Sequence, residues 1–228
     1  GAPRFRQFLE EIFAGDPELI AFIGRAFGYS CSGLNTEQAL FIAHGTGANG
    51  KSTLTNVVRQ LLGDYSKAIQ PESLLVRERS TISNDIARLV GVRFVPTVEV
   101  EEGKKLAESL VKQLTGGDAI SARFLHREFF DFVPQAKLWI STNHRPLITG
   151  TDHAIWRRIF LVPFTVTIPP ERRDKDLERR LLAEGPGILN WLVAGFREWQ
   201  ANGLAAPSAV IAATEQYRQD MDRVGQFL

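Results

Sequence analysis

The chain has 228 residues and a formal net charge of +1. Hydrophobic residues make up 44% and charged residues 23%, a globular balance that excludes disordered, collagen-like and disulfide-rich chains. The near-neutral charge excludes a protein coated in basic residues, such as a histone-like DNA binder. The single cysteine, Cys31, has no partner for an internal disulfide, so we expect a reducing, cytoplasmic compartment. No apolar run is long enough to span a bilayer, and we expect no membrane partner.

The first quarter of the chain predicts two helices, a strand and a third helix. Residues 4–29 repeat apolar side chains at helical spacing, and Pro17 suits the first turn of the second helix. Residues 39–43 form a short apolar run that predicts a buried strand, and residues 51–62 predict a helix that ends at Gly63. The first three residues resemble a scar of tag removal, and we expect an excised domain of a longer protein.

The rest of the chain alternates strands and helices. Residues 92–100 predict a strand, although Pro96 is awkward in a central one. Residues 104–115 predict an amphipathic helix, and residues 119–125 and 129–133 predict a hairpin with residues 126–128 at its tip. Core strands are predicted at 137–142 and 158–164, and helices at 171–202 and 207–223. This alternation predicts an α/β fold with a mostly parallel sheet.

The strongest motif is a glycine-rich loop between the first predicted strand and the helix that follows it. Residues 45–52 match G-x-x-x-x-G-K-[ST] in full, as Gly45, Thr46, Gly47, Ala48, Asn49, Gly50, Lys51 and Ser52. Glycines let consecutive backbone N–H groups point at phosphate oxygens, and the helix N-terminus adds a positive dipole. Lys51 can reach the β- and γ-phosphates, and the Ser52 hydroxyl can bind Mg²⁺. The motif therefore predicts a site for a nucleoside triphosphate and Mg²⁺.

Three acids follow the second predicted strand. Phosphoryl transfer to water needs a carboxylate at the metal and another that polarises the water, and Glu99, Glu101 and Glu102 are the candidates. In an extended chain Glu99 and Glu101 share one face, so both are candidate Mg²⁺ ligands, and Glu99 is preferred as the first acid on the strand. The alternative is a solvated acidic turn at the start of the next helix.

Two further polar groups follow or precede core strands. Asn143 follows the strand at 137–142 and can hold the attacking water or sense the γ-phosphate; the alternative is an ordinary strand-end turn. Arg157 and Arg158 precede the last strand, and either can reach a neighbouring subunit's nucleotide as an arginine finger. The alternative for this pair is a set of surface ion pairs.

Five blocks, in this order, resemble the superfamily 3 helicases. The similarity is greatest to the helicase domain of phage and plasmid primase–helicases, a group that includes the poxvirus primase–helicase. The blocks lie at residues 45–53, 98–106, 114–124, 137–146 and 152–164. The resemblance implies an AAA+-type P-loop core that forms a ring, usually a hexamer, and hydrolyses ATP with Mg²⁺ at subunit interfaces. It also implies 3′ to 5′ movement on single-stranded DNA, linked primase and C-terminal modules, and a phage or mobile-element protein in the bacterial cytoplasm.

The resemblance also assigns roles to residues of this chain. It identifies residues 45–53, including Thr53, as the Walker A loop, and places the Walker B acids among Glu99, Glu101 and Glu102. Asn143 corresponds to the sensor asparagine, and Arg157 or Arg158 to the finger. The DNA-contacting hairpin is expected to carry Arg123, His126 and Arg127, with Lys104 and Lys105 as weaker candidates. The implied division is a helical segment at 1–38, the ATPase core with its hairpin at 39–168 and a second helical segment at 169–228.

Charge distribution agrees with a local nucleic-acid surface. Residues 121–158 carry a net charge of +3, and the remainder carries −2. In the same region Phe124, Phe129, Phe130 and Phe132 can stack on bases or, as such side chains more often do, form the core of the hairpin.

Two other functions compete with a DNA motor. A P-loop kinase for a small molecule would need an acceptor pocket that the sequence does not reveal. A nucleotide-binding assembly module without turnover would leave the complete set of Lys51, Ser52 and carboxylates unexplained.

Overall fold

The computed structural model describes residues 1–76, 84–150 and 152–225. It confirms the predicted α/β class. A four-stranded, entirely parallel sheet contains β1 (Leu40–His44), β2 (Phe94–Val98), β5 (Lys137–Thr142) and β6 (Ile159–Pro163), and a separate antiparallel pair comprises β3 (Ile120–Ala122) and β4 (Phe130–Phe132). The order in the parallel sheet is β2-β5-β1-β6, and helices flank both of its faces.

The helices in the described residues are α1 to α9. They span Pro3–Ile12, Pro17–Ser30, Lys51–Leu62, Asn84–Ala87, Glu108–Thr115, His153–Trp156, Leu177–Ala183, Gly185–Asn202 and Ser208–Gly225. Short 3₁₀ turns lie at Gly63–Tyr65, Pro71–Leu74 and Pro170–Arg172. None of these helices is long and apolar enough to cross a membrane.

The sheet separates two hydrophobic cores, and strand β1 contributes alternately to both. Phe41 and Ala43 pack in a core that also contains residues of α1, α2, α3 and α8. Leu40 and Ile42 pack on the other face, in a core that includes residues of α5, α6 and α9. Because helices cover both faces, β1 is apolar at successive positions, as its sequence indicates.

Pro96 is accommodated because β2 is an edge strand of the sheet. The Pro96 carbonyl accepts a hydrogen bond from the N–H of Ile69 at 3.3 Å, on the side away from β5. The nitrogen and carbonyl of one strand residue point to the same side, so the missing N–H of Pro96 also faces away from β5. Neighbouring residues bond β5: the Lys137 N–H donates to the Arg93 carbonyl at 2.7 Å, and the Glu99 N–H donates to the Ser141 carbonyl at 2.9 Å. The proline therefore removes no hydrogen bond between β2 and β5.

The predicted hairpin is confirmed, with strands β3 and β4 paired antiparallel from Ile120 opposite Phe132. The expectation that its phenylalanines form a core is only half right. Phe130 and Phe132 are half-buried, but Phe124 and Phe129 are 41% and 52% exposed. Two aromatic rings of the hairpin therefore face solvent.

Two predicted helices are wrong in extent. Residues 104–107 are extended, because the Leu106 N–H donates to the Leu147 carbonyl at 2.8 Å and the Leu147 N–H donates to the Lys104 carbonyl at 2.7 Å, so α5 begins only at Glu108. The helix predicted over 171–202 begins at Leu177 and is broken at Glu184. The Glu184 carboxylate accepts hydrogen bonds from the backbone N–H groups of Arg4 and Phe5 at the start of α1.

Helices α2 and α8 approach so closely that their contact requires glycine. A Cβ on Gly195 of α8 would lie 2.0 Å from the Gly24 carbonyl oxygen, and a Cβ on Gly28 of α2 would lie 2.1 Å from the Phe196 nitrogen. Both obstacles are backbone atoms, which cannot move aside as a flexible side chain can. The two helices therefore form one rigid layer on the α1 side of the sheet.

We predict that Gly195→Ala destabilises the protein by about 2–3 kcal/mol, because the added methyl group forces α2 and α8 apart. Alanine has a higher helix propensity than glycine, so propensity alone would stabilise the variant. A loss of stability would therefore come from the steric effect. Urea unfolding measures the change. The control is Gly117→Ala, whose Cβ has no atom within 4 Å and which should change stability by less than about 0.5 kcal/mol. Equal stabilities of the two variants would contradict the close contact.

Candidate functional site

The glycine-rich loop connects the carboxyl end of β1 to the first turn of α3. Gly47, Ala48 and Gly50 have φ angles of 105°, 48° and 83°, which fold the loop tightly. A Cβ on Gly50 would lie 2.5 Å from Cγ2 of Ile12, because α1 packs beneath the loop. A Cβ on Gly45 would lie 2.2 Å from the Phe164 carbonyl oxygen. Backbone conformation and close packing therefore both require glycine in this motif.

Lys51 points its ammonium group into the site rather than into solvent. Lys51 is only 5% exposed. Its Nζ donates hydrogen bonds to the Gly45 carbonyl at 2.7 Å and to Oδ1 of Asn143 at 3.0 Å. Burial lowers the pKa of Lys51, and the nearby Glu99 carboxylate opposes that effect. The loop thus holds a partly desolvated cation with two neutral acceptors.

Asn143 links Lys51 to Glu99. Its amide Nδ2 donates to Oε1 of Glu99 at 2.8 Å, while its Oδ1 accepts from Lys51. Strand β5 lies between β1 and β2, so the residue that follows β5 lies between the loop after β1 and the acid after β2. We call these three hydrogen-bonded residues the Lys51–Asn143–Glu99 chain. Sequence separates its members by 92 and 44 positions, and the sheet order brings them together.

The other two acids lie outside this chain of contacts. Glu99 has a φ of 39°, so the backbone turns directly after β2 and the expected extended geometry at Glu99 and Glu101 is wrong. Glu101 is directed to Lys104, 3.2 Å away, with its side chain 75% exposed, and Glu102 is exposed. Of the three candidates, the structure brings Glu99 to Lys51.

Oxygen donors next to Lys51 suit a hard divalent cation. Ser52 is exposed on the first turn of α3, with Thr53 half-buried beside it, and Glu99 supplies the nearby carboxylate. Mg²⁺ is typically held by one or two protein oxygens together with substrate phosphates. Among the described residues, no group of three or more His, Cys, Asp and Glu side chains could hold a metal ion on its own.

The two arginines have different environments. Arg158 is 7% exposed, and its guanidinium donates through Nε to Oγ1 of Thr115 at 3.2 Å and through Nη1 to the Ala154 carbonyl. Arg157 is exposed and donates to Oε1 of Gln38. Arg158 is thus committed to interior contacts, whereas Arg157 is on the surface.

The proposed DNA-contacting residues fall into two groups. Arg123, His126 and Arg127 are all exposed around the hairpin turn, where the Arg123 guanidinium lies 4.8 Å from the ring centre of Phe129 and His126 has a φ of 60°. Lys104 and Lys105 lie on the separate extended segment before α5, and Lys104 pairs with Glu101. The hairpin therefore presents two arginines, a histidine and exposed rings on one small projection.

Sequence reasoning missed two residues of this region, His44 and Arg145. His44 ends β1 directly before the loop and is half-buried; burial first, then the charges of Arg145 and Lys51, lower its pKa. A backbone hydrogen bond between His44 and Asn143 opposes that shift. The signal in the sequence was position alone, since His44 and Arg145 adjoin the two strand ends that carry Lys51 and Asn143.

Sequence comparison finds viral relatives. The model of a family of unknown function, DUF5906, matches residues 43–158, just over half of the chain. The Acanthamoeba polyphaga mimivirus protein named "Putative helicase L207/L206" is 30% identical over 241 residues, covering 97% of this chain and 25% of that protein. The fowlpox virus protein named "Primase D5" is 29% identical over 140 residues, covering 59% of this chain and 18% of that protein. The chain spans about a quarter of the length of curated viral relatives that it matches.

Structural comparison supports the fold. The apo structure of the NrS-1 C-terminal region superimposes with a TM-score of 0.66 and covers 90% of this chain and 52% of that chain. At 13% sequence identity this similarity establishes the α/β architecture alone.

We predict that Arg158→Ala lowers stability by about 2 kcal/mol, because it removes buried hydrogen bonds to Thr115 and Ala154. Arg157→Ala removes an exposed side chain and should change stability by less than about 0.5 kcal/mol. Thermal and urea unfolding of the two variants measure the difference. A stable Arg158→Ala variant would contradict the interior role given to Arg158.

Proposed function

The chain belongs to the DUF5906 family, and from that premise we propose that it is an ATP-driven motor of the superfamily 3 helicase type that moves on single-stranded DNA. The observation that carries the proposal is the Lys51–Asn143–Glu99 chain, in which a P-loop lysine, a polar strand-end amide and a carboxylate meet at one edge of the sheet. These are the groups that phosphoryl transfer to water requires. The names of the mimivirus and fowlpox relatives as a helicase and a primase support a role in nucleic-acid replication.

ATP would replace the present partners of Lys51. The β- and γ-phosphate oxygens are anionic acceptors, and they attract a partly desolvated ammonium more strongly than the Gly45 carbonyl does. The first turn of α3 and the backbone N–H groups of the glycine-rich loop would bind the remaining phosphate oxygens. The Ser52 hydroxyl would hold Mg²⁺ together with the phosphate oxygens, and the cation would neutralise negative charge on the phosphates when bound.

Asn143 and Glu99 would then act on the reacting end of the nucleotide. Withdrawal of Lys51 toward phosphate frees Oδ1 of Asn143, which can orient a water molecule. Glu99 already accepts a hydrogen bond from Nδ2 of Asn143, so its carboxylate lies where it can polarise that water. The amide thereby couples occupation of the phosphate site to the position of the carboxylate.

We predict that Glu99→Gln leaves ATP affinity within about twofold and lowers the rate of hydrolysis by at least about 100-fold, because it removes the carboxylate that polarises water. Lys51→Ala should weaken ATP binding as well as hydrolysis. Steady-state turnover with Mg²⁺ and single-stranded DNA, together with nucleotide binding, measures both effects. Glu101→Gln and Glu102→Gln are the matched controls and should retain turnover within about threefold. A larger loss in either variant would mean that its glutamate, rather than Glu99, polarises the water.

The hairpin is proposed as the element that contacts the DNA strand. Arg123 and Arg127 supply cations for the phosphate backbone, and the exposed rings of Phe124 and Phe129 offer faces for base stacking. A ring of subunits repeats this small projection, so few cations per subunit suffice for a basic channel. A hairpin at the surface of each subunit therefore suits a motor that follows one strand without reading its sequence.

We predict that Arg127→Ala weakens single-stranded DNA binding about five- to tenfold and reduces the slope of log affinity against log salt concentration by about 0.7, because one phosphate contact is lost. Fluorescence anisotropy with a labelled oligonucleotide over a salt series measures both quantities. The control is Arg179→Ala, an exposed arginine of α7 paired with Asp176, which should leave affinity and slope unchanged. Equal effects of the two substitutions would exclude the hairpin as the contact.

A shared active site is the remaining part of the proposal. Arg157 is exposed and its removal leaves the buried contacts of Arg158 intact, so Arg157 is the better candidate for a finger that reaches a neighbouring subunit's nucleotide. The homo-oligomer, a hexameric ring in the superfamily 3 helicases, would form with primase and C-terminal modules of a longer protein. The mimivirus relative is long enough to accommodate such modules, since this chain covers 25% of it.

We predict that Lys51→Ala and Arg157→Ala are each inactive alone and that a mixture of the two recovers part of the ATPase activity. In mixed assemblies an intact Lys51 of one subunit can face an intact Arg157 of the next. ATP turnover of the mixture is measured beside the particle mass with ATP and single-stranded DNA. Full activity in a strictly monomeric preparation would contradict the shared site.

A further inference from the structure

Helix α9 covers the open edge of the sheet next to the nucleotide loop. Oγ1 of Thr214 in α9 accepts a hydrogen bond at 3.0 Å from the N–H of Leu161 in β6, the edge strand beside β1. An edge strand exposes backbone N–H groups that have no neighbouring strand to bond. The Thr214 side chain supplies the acceptor for one of them, the N–H of Leu161. The helix is therefore fixed relative to the strands that carry the site.

The same helix also contacts the segment that follows Asn143. The buried Tyr217 hydroxyl donates to the carbonyl of Pro146, three residues after Asn143. Arg145 donates to Oδ2 of Asp220 at 2.9 Å, and its guanidinium lies 5.1 Å from the ring centre of Tyr217. Trp156 packs edge-on against the Tyr217 ring with the centres 5.3 Å apart. We call the contacts of Arg145 and Pro146 with Tyr217 and Asp220 the α9 clamp.

The α9 clamp contacts the short loop between β5 and Leu147. The Thr142 hydroxyl bonds to His144, and the Leu147 N–H bonds to the Lys104 carbonyl, so the loop is tied at both ends. Arg145 and Pro146 lie between these two hydrogen-bonded points, two and three residues after Asn143. A displacement of this part by about 1 Å is enough to disturb the aim of a catalytic amide.

We propose that Tyr217 and Asp220 are positioning residues of the ATPase site, which hold Asn143 through Arg145 and Pro146. The inference rests on the proposed function, because it assigns α9 a part in the step that Asn143 serves. Tyr217 contacts Pro146 and Asp220 contacts Arg145, so their effect on Asn143 is transmitted through the loop. Helix α9 thereby belongs to the catalytic apparatus, although it lies outside every motif of the P-loop core.

The test uses two conservative substitutions and one control. Asp220→Asn keeps the shape of the side chain and removes its charge, and Tyr217→Phe removes only the hydroxyl. Each should lower kcat for ATP about tenfold with KM within about twofold, because the phosphate contacts of Lys51 and the glycine-rich loop are retained. Glu215→Gln, on the exposed side of the same helix, should leave both constants unchanged. The charge-swapped pair Arg145→Asp with Asp220→Arg should recover part of the kcat lost in either single variant.

A second readout does not depend on turnover. Amide hydrogen exchange over residues 144–150 in the nucleotide-free protein should accelerate about tenfold in Asp220→Asn and remain unchanged in Glu215→Gln. Unchanged exchange in Asp220→Asn would overturn the clamp, as would an unchanged kcat in a chain that hydrolyses ATP. Absence of ATP hydrolysis by the unsubstituted chain would instead refute the proposed function, and the exchange rates would still decide whether α9 holds the loop.

Discussion

The buried ammonium of Lys51 is the constraint on which the site depends. Removing a cation from water is costly unless its donors find acceptors, and an opposite charge nearby reduces the cost further. The Gly45 carbonyl and the Asn143 amide supply the acceptors, and Glu99 supplies the charge. These requirements fix the ends of three strands relative to one another, and a sheet with β5 between β1 and β2 meets all of them.

Under the proposed function, the same burial prepares the site for an anion. Desolvation lowers the pKa of Lys51 because the charged form has lost water, and a polyphosphate restores favourable interactions for that form. The attraction is stronger in a partly dry site than on the surface. On phosphate binding, Asn143 would be released from Lys51 and would keep its other partner, Glu99. In the proposed mechanism, a single exchange of hydrogen bonds at Lys51 would couple occupation of the phosphate site to the position of the Glu99 carboxylate.

Local patterns were enough to predict the class of the fold, the glycine-rich loop and the strand before Asn143, because apolar periodicity and glycine requirements are short-range properties. Choosing among three glutamates was not possible, since the choice depends on the turn at Glu99 and on the neighbour that β5 supplies. Residues 104–107 have a helical pattern but are extended, because hydrogen bonds to Leu147 outweigh local propensity. Arg157 and Arg158 are adjacent arginines that the sequence alone does not distinguish. Tertiary packing buries Arg158 and leaves Arg157 on the surface.

The motifs between residues 43 and 158 do not support the site unaided. Ile12 of α1 lies beneath Gly50, where it limits that position to glycine, and the carboxylate of Glu184 satisfies the first backbone groups of α1. On the far side of the sheet, Tyr217 of α9 holds the carbonyl of Pro146. The phosphate loop is thus supported by a helix near one end of the chain and the Asn143 loop by a helix near the other. Within the proposed function, the aim of Lys51 and Asn143 at a phosphate therefore depends on both helices as well as on the strands.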